Sequence, residues 1–453
     1  MSLKSPQIVK TDIKKVGILF SGGPAPSANA VICSAADCFR RAGIEVYGFL
    51  NGYSHLVDFK DGDVLAEGVA YIRLDKMNLE GRRTEGGIII GSARANPGKA
   101  MGKPEDLTNP EATAPMKTVY DALCSLGIDV LISIGGDDTL TTAAKFKLYQ
   151  DTFPENAKKI RVIHLPKTID NDYEGIDFTF GFFTAVDLMA RQLRNLLFDA
   201  TATKCYYVAQ LMGRKAAWLC YGSAIAGEAS LCIGLEDVVN DPSLLGTEDS
   251  YNPQTGELNV DENGKAKQRE IVLFDRLVSR IADTVEKRLK LGKKCGVICV
   301  AEGIGEYLPL KEIRCCISDD EYRSLVPDTF GHYPVSQLKF SSRLGRLVQE
   351  ELMRRKYGKI KFVGLQFGYE VRCQPPTGFD VIMGSQLGSG AYISLVENSM
   401  NGIMVSVGKE MQLEYRPFEE LINMNKLRAY QRPLRLGKGL HSLARYMEEW
   451  VEE

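Results

Sequence analysis

Short apolar runs alternate with amphipathic stretches along the first part of this chain. The runs KVGILF (15–20) and IEVYGFL (44–50) have the length and character of buried strands. Between them, AVICSAADCFRRAG (30–43) repeats apolar residues at helical spacing, with Gly43 as its C-cap. The same order returns in MKTVYDALCSLG, IDVLISI, TLTTAAKFKLYQ and IRVIHLP. Strands that alternate with helices predict an α/β fold with a parallel sheet and crossover helices.

The pattern continues after residue 182 and predicts a second α/β domain. FTAVDLMARQLRNLLFDA (183–200) predicts a long helix, and further strands are predicted in CYYVAQLMG, GVICVAEG and KFVGLQFG. Residues about 240–270 are polar and rich in turn formers, which predicts a surface insertion with a hairpin around TGELNVDENGK. The final stretch, LHSLARYMEEWVEE, predicts a helix that packs on one side and is solvated on the other.

The composition is that of a globular protein and argues against several kinds of partner. The chain has 453 residues, 44% hydrophobic and 25% charged, which suits two or three domains. A formal net charge of -2 gives no electrostatic case for nucleic acid or a membrane surface. The start, MSLKSPQIVKTDIKK, lacks the apolar core of a signal peptide, and eleven cysteines without a C-x-x-C pair favour reduced thiols in the cytoplasm. The four histidines show no metal-ligand spacing.

Two glycine-rich turns follow predicted strands and could bind phosphate. In SGGPAPSAN, Gly22 and Gly23 let the backbone approach an anion, although such a turn can also serve packing alone. In GGDD, Asp137 could hold a magnesium ion that bridges phosphates. Asp138 could equally be the N-cap of the next helix. Ligands of parallel sheets bind beyond the carboxyl ends of the strands, where these turns are expected.

A third polar loop, PKTIDND, carries two carboxylates beside a cation. If the segment is extended, Asp170 and Asp172 point to one side, where one could accept the proton of an attacking hydroxyl. Lys167 next to them suits a phosphate. The alternative is an Asx-type turn that satisfies its own backbone.

Charged residues at later strand ends suit a sugar phosphate. QLMGRKAAW places Arg214 after a flexible glycine, VAEGIGE places Glu302 at the end of a strand, and GYEVRCQPPTGFD offers Tyr369, Glu370 and Arg372. Arginine binds phosphate as a fork and a carboxylate can bind sugar hydroxyls. Each could instead form a surface ion pair.

These motifs occur in the order found in phosphofructokinases, and the chain resembles that family. The matching segments are SGGPAPSAN, GSAR, GGDDT, PKTIDND, TFGFFTA, MGR, the strand-end AEG and GYEVR. They extend from about Lys15 to Gly402, and the succession of PKTIDND, TFGFFTA and MGR is the specific part. The chain looks most similar to the pyrophosphate-dependent members.

The resemblance implies two similar Rossmann-like, parallel-sheet domains with the active site between them. The donor domain would comprise residues 1–181 plus about 380–425, and the sugar-phosphate domain residues 182–379 plus about 426–453. It further implies a homodimer or homotetramer, because family members complete the site with residues from a neighbouring subunit.

The resemblance also implies roles for individual residues. Pyrophosphate would be bound by Gly22, Gly23, Arg94 and Asp138, and Asp137 would serve the expected cofactor, Mg²⁺. Asp170 would be the general base for the sugar 1-hydroxyl, supported by Lys167, Thr168 and Asp172. Fructose 6-phosphate would be held by Met212, Gly213, Arg214, Glu302, Tyr369 and Arg372. The implied reaction yields fructose 1,6-bisphosphate and phosphate, a reversible step of glycolysis or gluconeogenesis.

The choice of phosphoryl donor turns on Asp138 and Lys167. ATP-using relatives usually have glycine at the position of Asp138, which leaves room for the α-phosphate of the nucleotide. An aspartate adds bulk and charge there, and two like charges about 4 Å apart repel by about 4 kcal/mol at an effective dielectric of about 20. Lys167 offers a matching attraction for the terminal charge of pyrophosphate. The alternatives are an ATP-dependent phosphofructokinase and a non-catalytic regulatory paralogue.

Two departures from the family pattern stand out. Relatives usually have glycine after the proline of the first turn, whereas Ser27 and Ala28 follow Pro26 here. Ser27 can cap the helix, but a conformation reserved for glycine is not expected of it. The family also often has a basic residue near Cys205, a role that Lys204 would fill.

Overall fold

A computed structural model describes residues 9–325 and 338–450 of the chain. The strands are β1 (Lys15–Ser21), β2 (Glu45–Phe49), β3 (Tyr71–Arg73), β4 (Val130–Gly135), β5 (Arg161–Pro166), β6 (Tyr206–Leu211), β7 (Leu231–Ile233), β8 (Leu245–Asp249), β9 (Gln268–Val272), β10 (Gly296–Ala301), β11 (Phe362–Phe367), β12 (Ile403–Val407), β13 (Leu413–Pro417), β14 (Ile422–Asn423) and β15 (Arg428–Ala429). The helices are α1 (Ala28–Arg41), α2 (Ser54–Val57), α3 (Pro110–Ser125), α4 (Asp137–Asp151), α5 (Phe182–Thr203), α6 (Trp218–Ala226), α7 (Leu235–Val239), α8 (Phe274–Lys290), α9 (Leu310–Cys316), α10 (Asp319–Ser324), α11 (Phe340–Arg354), α12 (Gly378–Tyr392), α13 (Phe418–Leu421) and α14 (Gly439–Met447).

The chain divides into two compact units. Unit 1 comprises Met1–Thr184 and Glu370–Arg432, and unit 2 comprises Ala185–Tyr369 and Pro433–Glu453. Each unit is therefore built from two separate stretches of chain. The boundaries of these units differ from the domain boundaries that the sequence analysis predicts. The predicted domain boundaries stay predictions.

Unit 1 contains a seven-stranded sheet in the order β13-β12-β5-β4-β1-β2-β3. The five strands from β12 to β2 run parallel, and the edge strands β3 and β13 pair antiparallel to their neighbours. The central strands β1 and β4 are buried along almost their whole length. This agrees with their continuous apolar sequences, which are typical of a sheet covered on both faces.

The strand order reverses direction at β1, which defines a topological switch point. From β1 the chain goes first to β2 on one side and later to β4 on the other side. The register pairs Ser21 with Gly135 and Gly135 with Pro166. The loops that begin at Gly22, Gly136 and Lys167 therefore leave the sheet side by side, at the position where open parallel sheets bind ligands.

Helices α1 and α12 of unit 1 cross at very short range because glycines lie at the contact. A β-carbon on Gly388 would lie 2.1 Å from Oγ of Ser34 and 2.4 Å from the carbonyl oxygen of Val31. One turn earlier, a β-carbon on Gly384 would lie 2.8 Å from Oγ of Ser27. Only glycine permits this approach of two backbones, so the GSQLG segment of α12 fixes how α1 packs behind the first polar loop.

Unit 2 contains a parallel four-stranded sheet in the order β11-β6-β10-β7. Its core gathers Val208, Ile298 and Val300 of the sheet with Leu277 and Ile281 of α8 and further apolar side chains of α11. The register pairs Leu211 with both Ala301 and Phe367. Met212, Glu302 and Gly368 are consequently the first residues beyond one common edge.

The polar insertion forms a longer hairpin than the sequence predicts. Strands β8 and β9 pair antiparallel from Leu245 to Val272, and the predicted TGELNVDENGK segment is the outer end of this hairpin. Arg269 on β9 is almost fully buried and binds Glu248 of β8 and the carbonyl oxygen of Leu308. The insertion is thus attached to the segment that follows β10, and does more than cover a surface.

The structure confirms the expected α/β fold with parallel sheets. The predicted strands correspond to β1, β2, β4, β5, β6, β10 and β11, and the long helix after residue 182 corresponds to α5. Of the four histidines, His332 lies outside the described residues. Within the described ranges, no helix is both long and apolar enough to cross a bilayer.

Candidate active site

The ammonium group of Lys167 lies against two bare glycine turns. A β-carbon on Gly22 would lie 3.6 Å from Nζ of Lys167, and one on Gly136 would lie 3.9 Å from the same atom. The backbone N–H of Lys167 also donates to the carbonyl oxygen of Gly135 over 2.9 Å. The structure therefore brings the three polar loops of unit 1 together around one cation.

The charge state of Lys167 reflects its burial and its charged neighbours. Burial lowers the pKa of Lys167 to about 8, while the carboxylates of Asp170, Asp172 and Asp137 oppose this change and the guanidinium of Arg372 adds to it. Four predicted site residues thus act on one ammonium group. An anionic ligand would supply the counter-charge that favours the protonated lysine.

The GGDD turn starts helix α4 without a side-chain cap on its N-cap residue. The N-cap is Gly136, so the alternative that Asp138 serves as N-cap is wrong. Asp137 is the first helical residue, and its Oδ1 accepts a hydrogen bond of 2.9 Å from the N–H of Asp138. The Asp138 side chain itself is exposed. The positive end of the helix and the bare glycine backbone both favour an anion at this turn.

The loop after β5 is a turn, and the extended conformation considered from the sequence is wrong. Asn171 has a φ of +54°, in the left-handed region, so Asp170 and Asp172 are not related by strand geometry. Thr168 accepts the N–H of Asp170 through Oγ1 over 3.0 Å, and Asn171 accepts the N–H of Thr179 through Oδ1 over 3.0 Å. Neutral side chains therefore stabilise the turn that presents the two aspartates.

A buried histidine and tyrosine lie beneath the GGDD turn. The hydroxyl of Tyr173 donates to the carbonyl oxygen of Gly135 over 2.9 Å, and it lies 2.9 Å from Nε2 of His164. Because the tyrosine hydroxyl already donates its proton to Gly135, the imidazole must donate from Nε2 to the tyrosine oxygen. Burial lowers the pKa of His164 to about 3, so the ring is neutral. This pair was missed from the sequence, which shows only a histidine within an apolar strand.

The first glycine turn is held by the GSAR segment. Ser92 donates from Oγ to the carbonyl oxygen of Gly22 over 2.6 Å, and the N–H of Gly22 donates to Ala93 over 2.9 Å. Arg94, the next residue, is exposed. Because Ala93 is hydrogen-bonded to Gly22, the backbone of Arg94 lies next to the turn.

Ser27 behaves differently from what its sequence position suggests. It is the N-cap residue of α1, but its side chain makes no cap; Oγ instead donates to the carbonyl oxygen of Asp380 over 2.6 Å. Its φ of +73° lies in the left-handed region, so the expectation that a non-glycine residue would avoid such a conformation is wrong.

Arg372 lies in unit 1, close to the first glycine turn. A β-carbon on Gly23 would lie 3.7 Å from Cζ of Arg372. The sequence grouped this arginine with the sugar-phosphate residues, whereas the structure brings it together with Gly23 and Lys167. Tyr369, the other residue from GYEVR, belongs to unit 2 and is 61% exposed.

The MGR and AEG loops of unit 2 pack directly against each other. The N–H of Gly303 donates to the carbonyl oxygen of Gly213 over 3.2 Å, and a β-carbon on Gly303 would lie 2.3 Å from the carbonyl oxygen of Arg214. Glu302 is buried at the start of a 3₁₀ turn, Glu302–Tyr307. The structure thus brings Gly213, Arg214 and Glu302 together, and places Met212 against Gly368 at the same edge.

Arg214 forms an ion pair with Glu306, a residue that the sequence interpretation missed. The guanidinium Nε binds the carboxylate of Glu306. Glu306 is nearly buried while the Arg214 side chain is 42% exposed, so the carboxylate holds the guanidinium at the surface of the loop. The signal was present in VAEGIGE, where a second glutamate follows Glu302. Lys204, by contrast, precedes β6 and is exposed, at the end of the strand opposite to Met212.

The oxygen donors around the GGDD turn fit a magnesium ion. Mg²⁺ typically binds through one or two carboxylates together with substrate phosphates. Asp137 offers such a carboxylate, and its roughly four lone-pair sites allow it to accept the N–H of Asp138 and to bind a cation as well. Across residues 9–325 and 338–450, no three or more His, Cys, Asp and Glu side chains cluster as a metal site.

Comparison with known proteins shows similarity to phosphofructokinases. A family model described as phosphofructokinase matches residues 15–250. The pyrophosphate--fructose 6-phosphate 1-phosphotransferase of Naegleria fowleri is 32% identical over 410 residues, which is 88% of this chain and 80% of that protein. The enzyme of the same name from Thermotoga maritima is 29% identical, with 90% of this chain and 84% of that protein covered.

Further matches concern a differently named relative and a solved structure. The ATP-dependent 6-phosphofructokinase 3 of Bacteroides thetaiotaomicron is 26% identical, with 91% of this chain and 94% of that protein covered. The crystal structure of a pyrophosphate-dependent phosphofructokinase from Nitrosospira multiformis superposes with a TM-score of 0.62 at 17% identity, covering 96% of this chain and 90% of that one. The motifs, the fold and these similarities lead to one conclusion: this chain belongs to the phosphofructokinase family.

Proposed function

We propose that this protein transfers a phosphoryl group from pyrophosphate to the 1-hydroxyl of D-fructose 6-phosphate, giving fructose 1,6-bisphosphate and phosphate. Residues of unit 1 bind the donor, and the MGR and AEG loops of unit 2 bind the sugar phosphate. The three loops that begin at Gly22, Gly136 and Lys167 we call the donor row. The observation that carries the proposal is that Lys167 lies against the bare backbone of Gly22 and Gly136 in this row, while Asp138 lies in the first turn of α4, directly after the GG pair.

The donor assignment follows from charge and size at the start of α4. Pyrophosphate is short enough to bind to Lys167 and the glycine turns without placing any of its own groups near Asp138. A nucleotide must place its α-phosphate there, against a carboxylate. Because the Asp138 side chain is exposed, water screens part of the repulsion, which is about 1 to 4 kcal/mol for charges about 4 Å apart. That corresponds to a preference of roughly fivefold to a thousandfold before any steric effect.

Asp170 is the proposed general base. It lies in the turn stabilised by Thr168. Its carboxylate raises the pKa of Lys167, against the lowering by burial. A carboxylate there takes the proton of the 1-hydroxyl as the oxygen attacks the terminal phosphorus, and the leaving phosphate is stabilised by Lys167 and Arg372. Phosphoryl transfer depends mainly on positioning and charge stabilisation, which these side chains supply.

Asp137 would hold Mg²⁺ together with the pyrophosphate oxygens. When bound, the ion neutralises charge on the phosphates of the donor. On the acceptor side, Arg214, held by Glu306, binds the 6-phosphate, and Glu302 orients the sugar hydroxyls. Tyr369 lies at the carboxyl end of the same sheet and completes this set.

The test is a side-by-side assay of fructose 6-phosphate phosphorylation with pyrophosphate and with ATP. The wild-type protein is expected to use pyrophosphate with the higher kcat/KM. Asp138→Gly is expected to improve ATP use about fivefold or more, and Asp138→Asn, which keeps the bulk but removes the charge, separates the two effects. A wild-type enzyme that prefers ATP, or an Asp138→Gly variant with unchanged donor preference, contradicts the assignment.

The same assay addresses the alternative functions. ATP-dependent relatives match this chain as well, so the ATP measurement is a direct comparison. Turnover by the purified protein without a partner excludes a non-catalytic regulatory paralogue. We further propose that the protein acts as a homodimer or homotetramer with shared sites, for which loss of specific activity on dilution, measured together with mass by light scattering, is the test.

A further inference from the structure

One short segment near the end of unit 1 contacts both acidic loops of the donor row. We call residues 428–432 (RAYQR) the strap. The N–H of Ala429 donates to Oγ1 of Thr141 on α4 over 3.0 Å. Gln431 pairs with Tyr173 through an antiparallel β-bridge. The strap therefore lies across the start of α4 and across the loop that follows Asp172.

At the GGDD turn, the strap binds the carboxylate proposed to hold the metal. Gln431 donates from Nε2 to Oδ2 of Asp137 over 3.1 Å, while Oδ1 accepts the N–H of Asp138 over 2.9 Å. With one donor on each oxygen, rotation of the carboxylate about its Cβ–Cγ bond is restricted. The orientation of the Asp137 carboxylate is therefore constrained by a side chain that lies 294 residues away in sequence.

At the TIDND loop, the strap binds carbonyl oxygens. The N–H of Arg432 donates to the carbonyl oxygen of Asp172 over 2.9 Å. Its guanidinium donates to the carbonyl oxygens of Asn171 and Asp177 over 2.9 and 3.0 Å, and to that of Ile176. A single arginine thus fastens the turn that carries Asp170 and Asp172.

We infer that Gln431 is a positioning residue for the metal–pyrophosphate complex, acting through the Asp137 carboxylate. The inference rests on the proposed function, because it takes Asp137 as the metal ligand. Partners that orient a metal-binding side chain typically change metal affinity by 10- to 100-fold when they are removed. Gln431 is exposed, so its replacement removes a hydrogen bond without opening a cavity in the core.

The experiment compares Gln431→Met with wild type as full-length proteins. Methionine keeps the length of the side chain and removes the N–H donor. Binding of Mn²⁺ is measured directly by electron paramagnetic resonance of the free ion, in the presence of pyrophosphate and without turnover. We expect Mn²⁺ to bind about tenfold or more weakly to Gln431→Met, with the KM for fructose 6-phosphate and the unfolding midpoint unchanged.

Gln268→Met is the matched control. Gln268 also donates to an aspartate, Asp249, but it does so in the hairpin of unit 2. This variant should bind Mn²⁺ as wild type does. If wild type binds Mn²⁺ with pyrophosphate and Gln431→Met binds it within twofold of wild type, the role of Gln431 is refuted while the proposed function stands.

Two other results bear on the inference. If wild type shows neither pyrophosphate-dependent Mn²⁺ binding nor turnover, the proposed function fails and the inference fails with it. A Gln431→Met variant that weakens fructose 6-phosphate binding as much as metal binding also overturns the inference, because a general structural role predicts equal losses.

Discussion

Nζ of Lys167 lies 3.6 Å from the point that a β-carbon on Gly22 would occupy. The cation is thus directed at a stretch of backbone without a side chain, and Gly22 itself has a φ of +90°. An alanine there would be strained and would place a methyl group between the ammonium and an incoming anion. The glycine and the buried lysine together leave space beside a cation for a small anion.

We expect the lowered pKa of Lys167 to make binding of the proposed donor dependent on pH. Because burial lowers this pKa to about 8, the free enzyme loses the ammonium charge above about pH 8, whereas an ordinary lysine keeps it to about 10.4. Attraction for pyrophosphate is therefore full below the folded-state pKa and is lost as the pH rises through it. We expect kcat/KM for pyrophosphate to fall up to tenfold per pH unit above this point.

Lys167→Arg tests that explanation, because a guanidinium stays charged throughout this range. Whatever the absolute rate of the variant, its pH profile should lack the fall near pH 8. A fall of the same size at the same pH in Lys167→Arg would assign the titration to another group.

Asp170→Ser should lower kcat by about 10²- to 10⁴-fold, since a positioned general base contributes that much. This equals about 3 to 5 kcal/mol of activation free energy. The dissociation constants of pyrophosphate and fructose 6-phosphate, measured by calorimetry, should change little. Asp177→Ser, at an exposed side chain in the same loop, is the control. Full activity of Asp170→Ser would remove this residue from the role of base.

Gly388→Ala should destabilise unit 1 by about 1 to 3 kcal/mol or more. The added carbon would lie 2.1 Å from Ser34 and 2.4 Å from the backbone of Val31 in α1, which cannot move aside without displacing the helix. Gly378→Ala, on the same helix α12, is the control because its β-carbon meets nothing within 4 Å. Urea unfolding of both variants measures the difference, and equal midpoints would contradict the close crossing of α1 and α12.

Tyr173→Phe should lower the free energy of unfolding by about 1 to 3 kcal/mol, because it leaves the buried Nε2–H of His164 and the carbonyl of Gly135 with one partner fewer. Tyr430→Phe, at an exposed tyrosine, should be close to neutral. If the two substitutions had equal effects, the hydrogen-bonded pair beneath the GGDD turn would carry no stability.

The parts of this fold that are encoded locally could be predicted from the sequence. Continuous apolar runs indicated the buried parallel strands, and glycines and aspartates after them indicated the loops at the carboxyl edge. Because parallel strands bring their carboxyl ends together, the proximity of Gly22, Gly136 and Lys167 follows from the pattern alone.

What could not be predicted depends on contacts between distant segments. Ser27 and Asn171, both with positive φ, form hydrogen bonds to Asp380 and Arg432, which are distant in sequence. The place of Arg372 beside Gly23 depends on how a second stretch of chain returns to the sheet. The strap and the Arg269–Glu248 ion pair are also long-range, and a single sequence carries no periodic signal for such pairings.

The interleaving of the two units has a consequence for how the protein is made. Unit 1 needs Glu370–Arg432 as well as its first 184 residues, and unit 2 needs residues that come after Arg432. During synthesis, unit 1 therefore cannot complete its structure until these later residues have been made. Until then β5 lacks its neighbour β12, and the acidic loops lack Gln431 and Arg432. The hydrogen bonds of the strap to Asp137 and Asn171 can form only after residue 432 has been translated, so this part of unit 1 is completed late in synthesis.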